Sequence, residues 1–263
     1  MFAGMVECMN RKEPTMLVSL LTKKLLSTHC VATSWSIWRL FFVRIITLDG
    51  PAGAGKSSTA RLLADRLGWC HMDTGAMYRA VALAALKRDV PLENENELAE
   101  LAASLDIQFA HDSVFLNGKN VSAEIRVDHV TTATRSVADA PSVREEMKKM
   151  QRGLSKKFNL VTEGRDQGTV VFPHAELKIY LDASPSARAA RRYHERVEQG
   201  DKSRSMNEIL HSQIERDQGD RERPVGAMEA AKDAIIINTD GLSLEKVVEQ
   251  VLGLAHDRGL TSD

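Results

Sequence analysis

The residues with the clearest capacity for chemistry lie between Gly50 and Ser58, where a glycine-rich turn leads into a lysine and two serines. Gly50, Gly55, Lys56 and Ser57 match the spacing G-x-x-x-x-G-K-[ST], which is typical of a loop that wraps around phosphate groups. Glycines let consecutive backbone N–H groups point at anionic oxygens, lysine adds a mobile positive charge, and the serine hydroxyl is suited to hold Mg²⁺. We therefore predict a triphosphate site formed by Gly50, Pro51, Ala52, Gly53, Ala54, Gly55, Lys56, Ser57 and Ser58.

The segments on either side of this loop have the patterns that the motif requires. Residues 45–48 are apolar or β-branched and predict a strand, and residues 58–67 have apolar positions at helical spacing. Gly68 then predicts the end of that helix. The alternative, an incidental glycine-rich turn, does not account for a strand and a helix in these positions.

The rest of the chain alternates between short apolar runs and helical patterns. Four further strands are predicted at residues 69–73, 160–162, 177–181 and 234–237. This alternation predicts an α/β fold of the P-loop type, with a five-stranded parallel sheet covered by helices on both faces. Residues 105–122, with an Asn117-Gly118 turn, predict a small antiparallel β insertion. Residues 184–223 are highly charged and predict a helical lid broken near Gly200.

Polar side chains follow the predicted strands at the edge where ligands bind in such sheets. The positions after the second and third strands are Asp73, Thr74, Tyr78, Arg79, Glu163, Arg165 and Asp166. Any one of these clusters could be a solvated loop. Together with the phosphate loop they lie on one sheet edge, which favours a binding site.

The charged helical region carries arginines at regular intervals. Arg188, Arg192 and Arg196 recur every four residues, with Arg191 beside them, and a second set comprises Arg216, Asp220 and Arg223. A solvent-facing helix with surface ion pairs is the alternative interpretation. Next to a triphosphate loop we interpret the arginines as a catalytic lid, because phosphoryl transfer needs positive charge around the moving group.

Several motifs together resemble those of bacterial cytidylate kinases. The segments that carry the resemblance, besides GPAGAGKS, are DTGAMYR at 73–79, VSAEIR at 121–126, PSVR at 141–144, EGRDQGTVVFP at 163–173 and ERDQGDRERP at 215–224. The resemblance covers the chain from about Arg44 onward. It implies ATP-dependent phosphorylation of CMP and dCMP with Mg²⁺.

The resemblance also implies roles for individual residues. Arg79 and Arg165 would hold the acceptor phosphate, Thr74, Arg144, Asp166 and Arg223 would read the base, and Arg216 and Asp220 would meet the sugar. Tyr78 belongs to the same acceptor set, and Glu163 would join Ser57 at the Mg²⁺ ion through a water molecule. The predicted catalytic residues are Lys56, Arg165, Arg188, Arg191 and Arg192.

One position departs from the family pattern. Arg135 stands where the family usually has a serine that contributes to sugar recognition, so the preference between CMP and dCMP stays open. Two alternatives to a CMP kinase also stay open: a kinase for another nucleotide or small metabolite, and a non-catalytic nucleotide-binding regulator.

Bulk composition limits the partners. The 263 residues carry a net charge of -1, so we expect no nucleic-acid partner, and we expect a cytoplasmic monomer without a membrane segment. The odd and scattered cysteines favour reduced thiols. We divide the chain into an extension, disordered or misassigned, over residues 1–43 and a kinase domain over 44–263, with its acceptor region at about 74–150 and its lid at about 184–223. The alternative for the extension is a peripheral membrane anchor.

Overall fold

The computed structural model describes residues 43–110, 113–198 and 200–261. The predicted extension therefore lies outside the described residues, apart from Val43. The strands described are, in chain order, β1 Ile45–Asp49, β2 Cys70–Asp73, β3 Ile107–Ala110, β4 Ser113–Leu116, β5 Lys119–Asn120, β6 Leu160–Glu163, β7 Leu177–Asp182 and β8 Ile235–Asn238.

Eight α-helices connect these strands in the described ranges. They are α1 Lys56–Leu67, α2 Thr74–Lys87, α3 Glu95–Ser104, α4 Asp128–Asp139, α5 Pro141–Leu154, α6 Pro185–Glu198, α7 Met206–Glu222 and α8 Leu244–Asp257. A short 3₁₀ turn at Glu124–Arg126 precedes α4, and a π-helical turn at Gln167–Val171 follows β6. None of the described helices is long and apolar enough to cross a membrane.

The main sheet is parallel and has the strand order β2-β6-β1-β7-β8. Its centre is β1, in which Thr47 pairs with Thr162 of β6 on one side and with Lys178 of β7 on the other. The segment β3-β4-β5 forms a separate antiparallel sheet. Both parts of the fold prediction are confirmed.

Two apolar cores cover the two faces of the main sheet. One includes Met77 of α2 and Leu98 of α3, and the other includes Leu63 of α1 and Val251 of α8. Because both faces are covered, the central strands are buried along their length, as in β1 where Ile46 and Leu48 have no exposed surface. The polar residues after each strand therefore lie on a rigid edge.

Local features of the structure differ from what the sequence predicts. Residues 123–138 have a pattern that predicts one helix, yet the structure divides it at Val127, whose extended backbone (φ -69°, ψ 151°) ends the 3₁₀ turn before α4 begins. The break in the lid is wider than a turn at Gly200, because Ser205 and Glu208 form a capping box that fixes the start of α7.

Candidate active site

The phosphate loop runs from the end of β1 to the first turn of α1. Gly55 precedes the helix with a left-handed backbone (φ 92°), and α1 begins at Lys56, so its first N–H groups point towards the loop. Gly50 also has a positive φ of 136°, and a Cβ atom there would collide with the carbonyl oxygen of Leu181 in β7. The loop geometry thus depends on glycine at both of its ends.

Lys56 is buried against the loop and its ammonium group donates to the carbonyl oxygen of Pro51 at 2.8 Å. Burial and the nearby positive charge of Arg165 lower the pKa of Lys56 to about 7, although the Glu163 carboxylate opposes this shift. A phosphate group beside the ammonium would favour its charged form. The site is therefore built so that an anionic ligand completes its charge balance.

An oxygen-rich cluster lies beside Lys56. The Ser57 hydroxyl donates to Glu163 Oε1 at 2.7 Å, and burial together with the negative charge of Asp73 raises the pKa of Glu163 to about 7. Asp73 itself accepts from the Ala76 amide at 2.8 Å and pairs with Arg79 at 3.3 Å. Hard oxygen donors of this kind suit Mg²⁺.

No group of three or more histidine, cysteine or carboxylate side chains able to hold a metal occurs in the described part of the chain. An ion at Ser57 and Glu163 would therefore need further ligands from nucleotide phosphates and water, which is the usual arrangement for Mg²⁺ in nucleotide-binding sites.

The predicted acceptor residues meet on the other side of this cluster. Asp166 and Arg144 form a buried ion pair, and the Arg144 guanidinium lies 5.7 Å from the centre of the Tyr78 ring. The Thr74 hydroxyl donates to the carbonyl oxygen of Glu163 at 2.7 Å, which ties the start of α2 to the end of β6. Burial raises the pKa of Tyr78 to about 12, so this phenol stays neutral. Planar and apolar surfaces with a polar pair at the end are suited to a nucleobase.

The C-terminal half of α7 closes the acceptor side. Asp220 accepts from Arg165 Nε at 2.8 Å and from Arg223 Nη2 at 2.7 Å, so one carboxylate joins the turn after β6 to the lid. The surrounding protein and the positive charge of Arg165 lower the pKa of Arg216 to about 10, although the Arg216 side chain is exposed. The charges of Arg165 and Arg79 both act on Arg216, so three guanidinium groups lie near one another on this side of the site.

The predicted lid arginines of α6 differ in their surroundings. Arg188 is buried, pairs with Asp217 at 2.6 Å and donates to the carbonyl oxygen of Ala52 at 3.0 Å. Arg191 donates to the carbonyl oxygen of Thr239 at 2.6 Å and to that of Gly53 at 3.3 Å. These two arginines hold the back of the phosphate loop.

Arg192 and Arg196 face away from the loop. Arg192 is exposed and pairs with Glu195 at 3.1 Å, whereas Arg196 pairs with Asp201 in the connection between α6 and α7. Arg196 also approaches Asp128 at the start of α4, at 4.0 Å, so the lid contacts the acceptor region on this side.

Arg135, the residue at the family's serine position, lies on α4 opposite α7. Its guanidinium lies against Gly219, where a Cβ atom would overlap it, and it also approaches Asp139 at 3.8 Å. The Arg135 side chain is 60% exposed, and Gly219, against which it lies, directly precedes Asp220. The departure from the family pattern therefore falls at the junction of α4 and the lid.

Sequence reasoning missed several residues of this site. Asp217 lies in a quoted motif but received no role, and Thr239 and Gly226 lie in no motif. Asp217 nevertheless pairs with Arg188, Thr239 binds Arg191, and a side chain at Gly226 would collide with the Arg144 and Asp166 pair. Asp49 directly follows the strand predicted at residues 45–48 and has no predicted role, although both of its carboxylate oxygens accept hydrogen bonds from the backbone amides that follow Asp166. The available signal for Asp49 was its position as a charged residue at the end of an apolar strand, where ligands or buried partners are expected.

A parallel sheet with a phosphate loop after its central strand, arginines gathered at the same sheet edge and two arginine-bearing helices near the loop are features of the class of P-loop kinases. Comparisons with known proteins identify the family within this class. The family profile described as "Cytidylate kinase" matches residues 46–257. A cytidylate kinase of Rhodopirellula baltica is 46% identical over 213 residues, covering 81% of this chain and 93% of that protein.

The comparisons also found further similar proteins. A cytidylate kinase of Aeromonas salmonicida is 43% identical over 221 residues, with 81% of this chain and 94% of that protein covered. Among solved structures, shikimate kinase from Acinetobacter baumannii in complex with shikimate is 16% identical and has a TM-score of 0.41, with 85% of this chain and 99% of that chain covered. The chain belongs to the cytidylate kinase family, and the resemblance of its motifs to that family is confirmed.

Proposed function

We propose that this protein transfers the γ-phosphoryl group of ATP to CMP and dCMP, with Mg²⁺, and produces CDP and dCDP. The observation that carries this proposal is the proximity of Lys56 in the phosphate loop to Arg165 after β6 and Arg216 on α7, because the charges of both arginines lower the pKa of the Lys56 ammonium. Two phosphorylated ligands that meet there would bring the migrating group among these three cations. Phosphoryl transfer depends mainly on such positioning and charge neutralisation.

On the donor side, residues 50–58 would hold ATP. The backbone amides of the loop and the start of α1 would bind the β- and γ-phosphates, and Lys56 would exchange its bond to Pro51 for a phosphate oxygen. Arg188 and Arg191 would keep the loop in place from behind, since both donate to carbonyl oxygens of the loop.

The Mg²⁺ site would be formed by Ser57 and, through a water molecule, by Glu163. The residues fit such an ion, because the Ser57 hydroxyl and the buried Glu163 carboxylate already lie 2.7 Å apart, with the Asp73 carboxylate nearby. When bound, Mg²⁺ neutralises charge on the β- and γ-phosphates and orients them.

On the acceptor side, Arg79 and Arg165 would bind the CMP phosphate and Asp220 the sugar. Asp166 would accept a hydrogen bond from the exocyclic amine of cytosine, while Arg144, oriented by Tyr78, would donate to the base oxygen. Uracil has a carbonyl oxygen in place of that amine. A carboxylate facing it would be left without a donor, so this arrangement would disfavour UMP.

Location, oligomeric state and the division of the chain stay predictions. We expect a cytoplasmic monomer with an acceptor region at about 74–150 and a lid at about 184–223. Support for the lid boundaries comes from α6 and α7, which span Pro185–Glu198 and Met206–Glu222.

Initial rates of ADP formation with ATP, Mg²⁺ and one of CMP, dCMP, UMP, AMP or shikimate test the proposed function. We expect kcat/KM to be highest for CMP and dCMP, and equal rates with AMP and CMP would contradict the assignment. A Lys56→Ala variant is the matched control, because it should bind nucleotide weakly and turn over at least about 100-fold more slowly, the scale on which a transition-state charge contact acts.

A further inference from the structure

Asp49 makes a contact that none of the roles above includes. It ends β1, is buried, and accepts two hydrogen bonds from consecutive backbone amides, Oδ1 from Gln167 N at 2.9 Å and Oδ2 from Gly168 N at 2.7 Å. The partners lie 118 and 119 residues further along the chain. They come directly after Arg165 and Asp166, the residues proposed to bind the acceptor phosphate and to read the base.

The side chain of Asp49 extends the attachment between β1 and β6 beyond the sheet. The last backbone contact between the two segments is the bond from Gly164 N to Leu48 O, at 3.1 Å. The following turn leaves the strand and places Arg165 beside Asp220 of α7. Asp49 then binds the chain again at Gln167, so the turn is fixed at both of its ends.

The far end of this turn is also held by its own side chains. The Thr162 hydroxyl donates to Gln167 Oε1 at 2.9 Å, and Gln167 Nε2 donates to Gln151 Oε1 at 3.2 Å. At Gly168 a Cβ atom would come within 3.0 Å of Thr47 Oγ1 and 3.3 Å of Asp49 Oδ2. The turn therefore lies close to β1 at this position, and a side chain here would push the turn and β1 apart.

Asp49 also precedes Gly50, the first residue of the phosphate loop. The backbone of Asp49 therefore continues into the phosphate loop, while its side chain binds the turn that carries Arg165 and Asp166. We propose that Asp49 is a positioning residue that holds the Arg165 and Asp166 turn in register with the phosphate loop and thereby sets the affinity for the acceptor nucleotide. This inference rests on the proposed function, because it assigns CMP to that turn.

The chemistry of the contact requires a carboxylate. Both oxygens of an ionised aspartate accept hydrogen bonds, and charge-assisted bonds of this type are about twice as strong as neutral ones. An asparagine has the same size but presents one acceptor and one NH₂ donor, so one of the two backbone amides would face a donor. The turn would then be released at one attachment while the rest of β1 stays unchanged.

Titration calorimetry of Asp49→Asn with CMP and, separately, with ATP tests the inference. We expect the Kd for CMP to rise about tenfold, equivalent to about 1.4 kcal/mol, and the Kd for ATP to change less than about twofold. The matched control is Glu176→Gln, because Glu176 Oε2 accepts from the Ile45 amide at 2.8 Å at the opposite end of β1. This control should leave both Kd values unchanged.

A second variant, Gly168→Ala, displaces the turn without removing a charge and should weaken CMP binding in the same selective way, which keeps the test valid if Asp49→Asn does not fold. Unchanged CMP affinity in a folded variant, or an equal loss for ATP and CMP, would overturn the inference. Failure of the proposed function is distinguishable, since the wild-type protein would then not bind CMP at all.

Discussion

Arg165 and Asp220 are joined by a hydrogen bond of 2.8 Å that connects the turn after β6 with the lid helix α7. Asp220 simultaneously accepts from Arg223 at 2.7 Å, and the Arg223 side chain also binds the exposed Asp139 of α4 at 2.7 Å. The buried Asp220 carboxylate thus connects the turn after β6 with α7, and Arg223 extends this connection to α4. The positive charges of Arg165 and Arg223 lower the pKa of Asp220 despite its burial, so it stays ionised.

The first prediction concerns this carboxylate. We expect Asp220→Ala to lower kcat/KM for CMP at least about 100-fold, equivalent to about 2.7 kcal/mol, because Arg165 and Arg223 lose the group that orients them. Asp139→Ala is the control, since it removes the exposed partner of Arg223 and should cost less than about 1 kcal/mol in the free energy of unfolding. Steady-state kinetics and urea unfolding measure both. An equal loss of kcat/KM for CMP in the two variants would contradict a special role for Asp220.

A second prediction concerns base selectivity. Asp166→Asn should reduce kcat/KM for CMP by about 100-fold. It should also lower the ratio of kcat/KM for CMP to kcat/KM for UMP, because an amide offers a donor to the uracil oxygen. The KM for ATP should stay nearly constant, which serves as the internal control for folding of the donor site. If the ratio between CMP and UMP stayed as in the wild type, Asp166 would not contact the base.

A third prediction separates stability from turnover at Arg188. The side chains of Arg188 and Asp217 are 3% and 2% exposed, so Arg188→Ala leaves a buried carboxylate unpaired and should cost about 3–5 kcal/mol in the free energy of unfolding. A double variant, Arg188→Met with Asp217→Asn, removes both charges and should recover most of this stability.

Turnover should not recover in that double variant, because Arg188 also donates to Ala52 in the phosphate loop. Glu195→Ala is the control on the same helix, since that exposed side chain pairs with Arg192 on the surface and has no predicted role in catalysis. Return of full turnover together with stability would make the pair a purely structural feature of the fold.

A fourth prediction follows from the titration of Asp49. Burial raises the pKa of Asp49 from 3.8 to about 6; the Asp166 carboxylate adds to the shift, whereas the Gly168 and Gln167 amides and the Lys56 ammonium oppose it. The folded state therefore holds a proton between pH 4 and 6 that the unfolded state has released. The stabilising contribution of Asp49 is full below pH 3.8 and is lost as pH rises through about 6.

Between pH 5 and pH 7.5 the wild type should consequently lose about 1 kcal/mol of unfolding free energy relative to Asp49→Asn, which does not titrate. Urea unfolding of both proteins at these two pH values measures the difference. The opposite sign, with the wild type gaining stability relative to the variant as pH rises, would show that the folded-state pKa of Asp49 is lowered instead.

The parts of the molecule that sequence predicted share one property: local residue spacing determines them. The phosphate loop at Gly50 to Ser58 and the positions of the five sheet strands along the chain follow from runs of fewer than about ten residues. In such runs the hydrophobic period and the positions of glycines carry the information. The placement of Arg165 and Asp166 at the same sheet edge also followed, because parallel strands end on one side.

The parts that sequence did not reveal depend on how helices dock. Every fourth residue of α6 is an arginine in the 188–196 stretch, and the spacing gave Arg188 and Arg192 equal standing, yet one is buried against Asp217 and the other is exposed. The contact of Asp49 with Gln167 joins residues 118 positions apart, and no periodicity encodes that distance. Val127 interrupts a helical pattern because backbone geometry at a single residue prevails over the propensity of its neighbours.

The close contact between Gly50 and the Leu181 carbonyl oxygen has a practical consequence for the design of inactive proteins. A larger residue at Gly50 would force the two central strands apart and would damage the fold along with nucleotide binding. Lys56 projects from the first turn of a helix that the core already holds. To inactivate the protein in cells, Lys56 should therefore be replaced and not Gly50. Of these two changes, we expect the replacement of Lys56 to remove activity while the abundance of the protein stays comparable with that of the wild type.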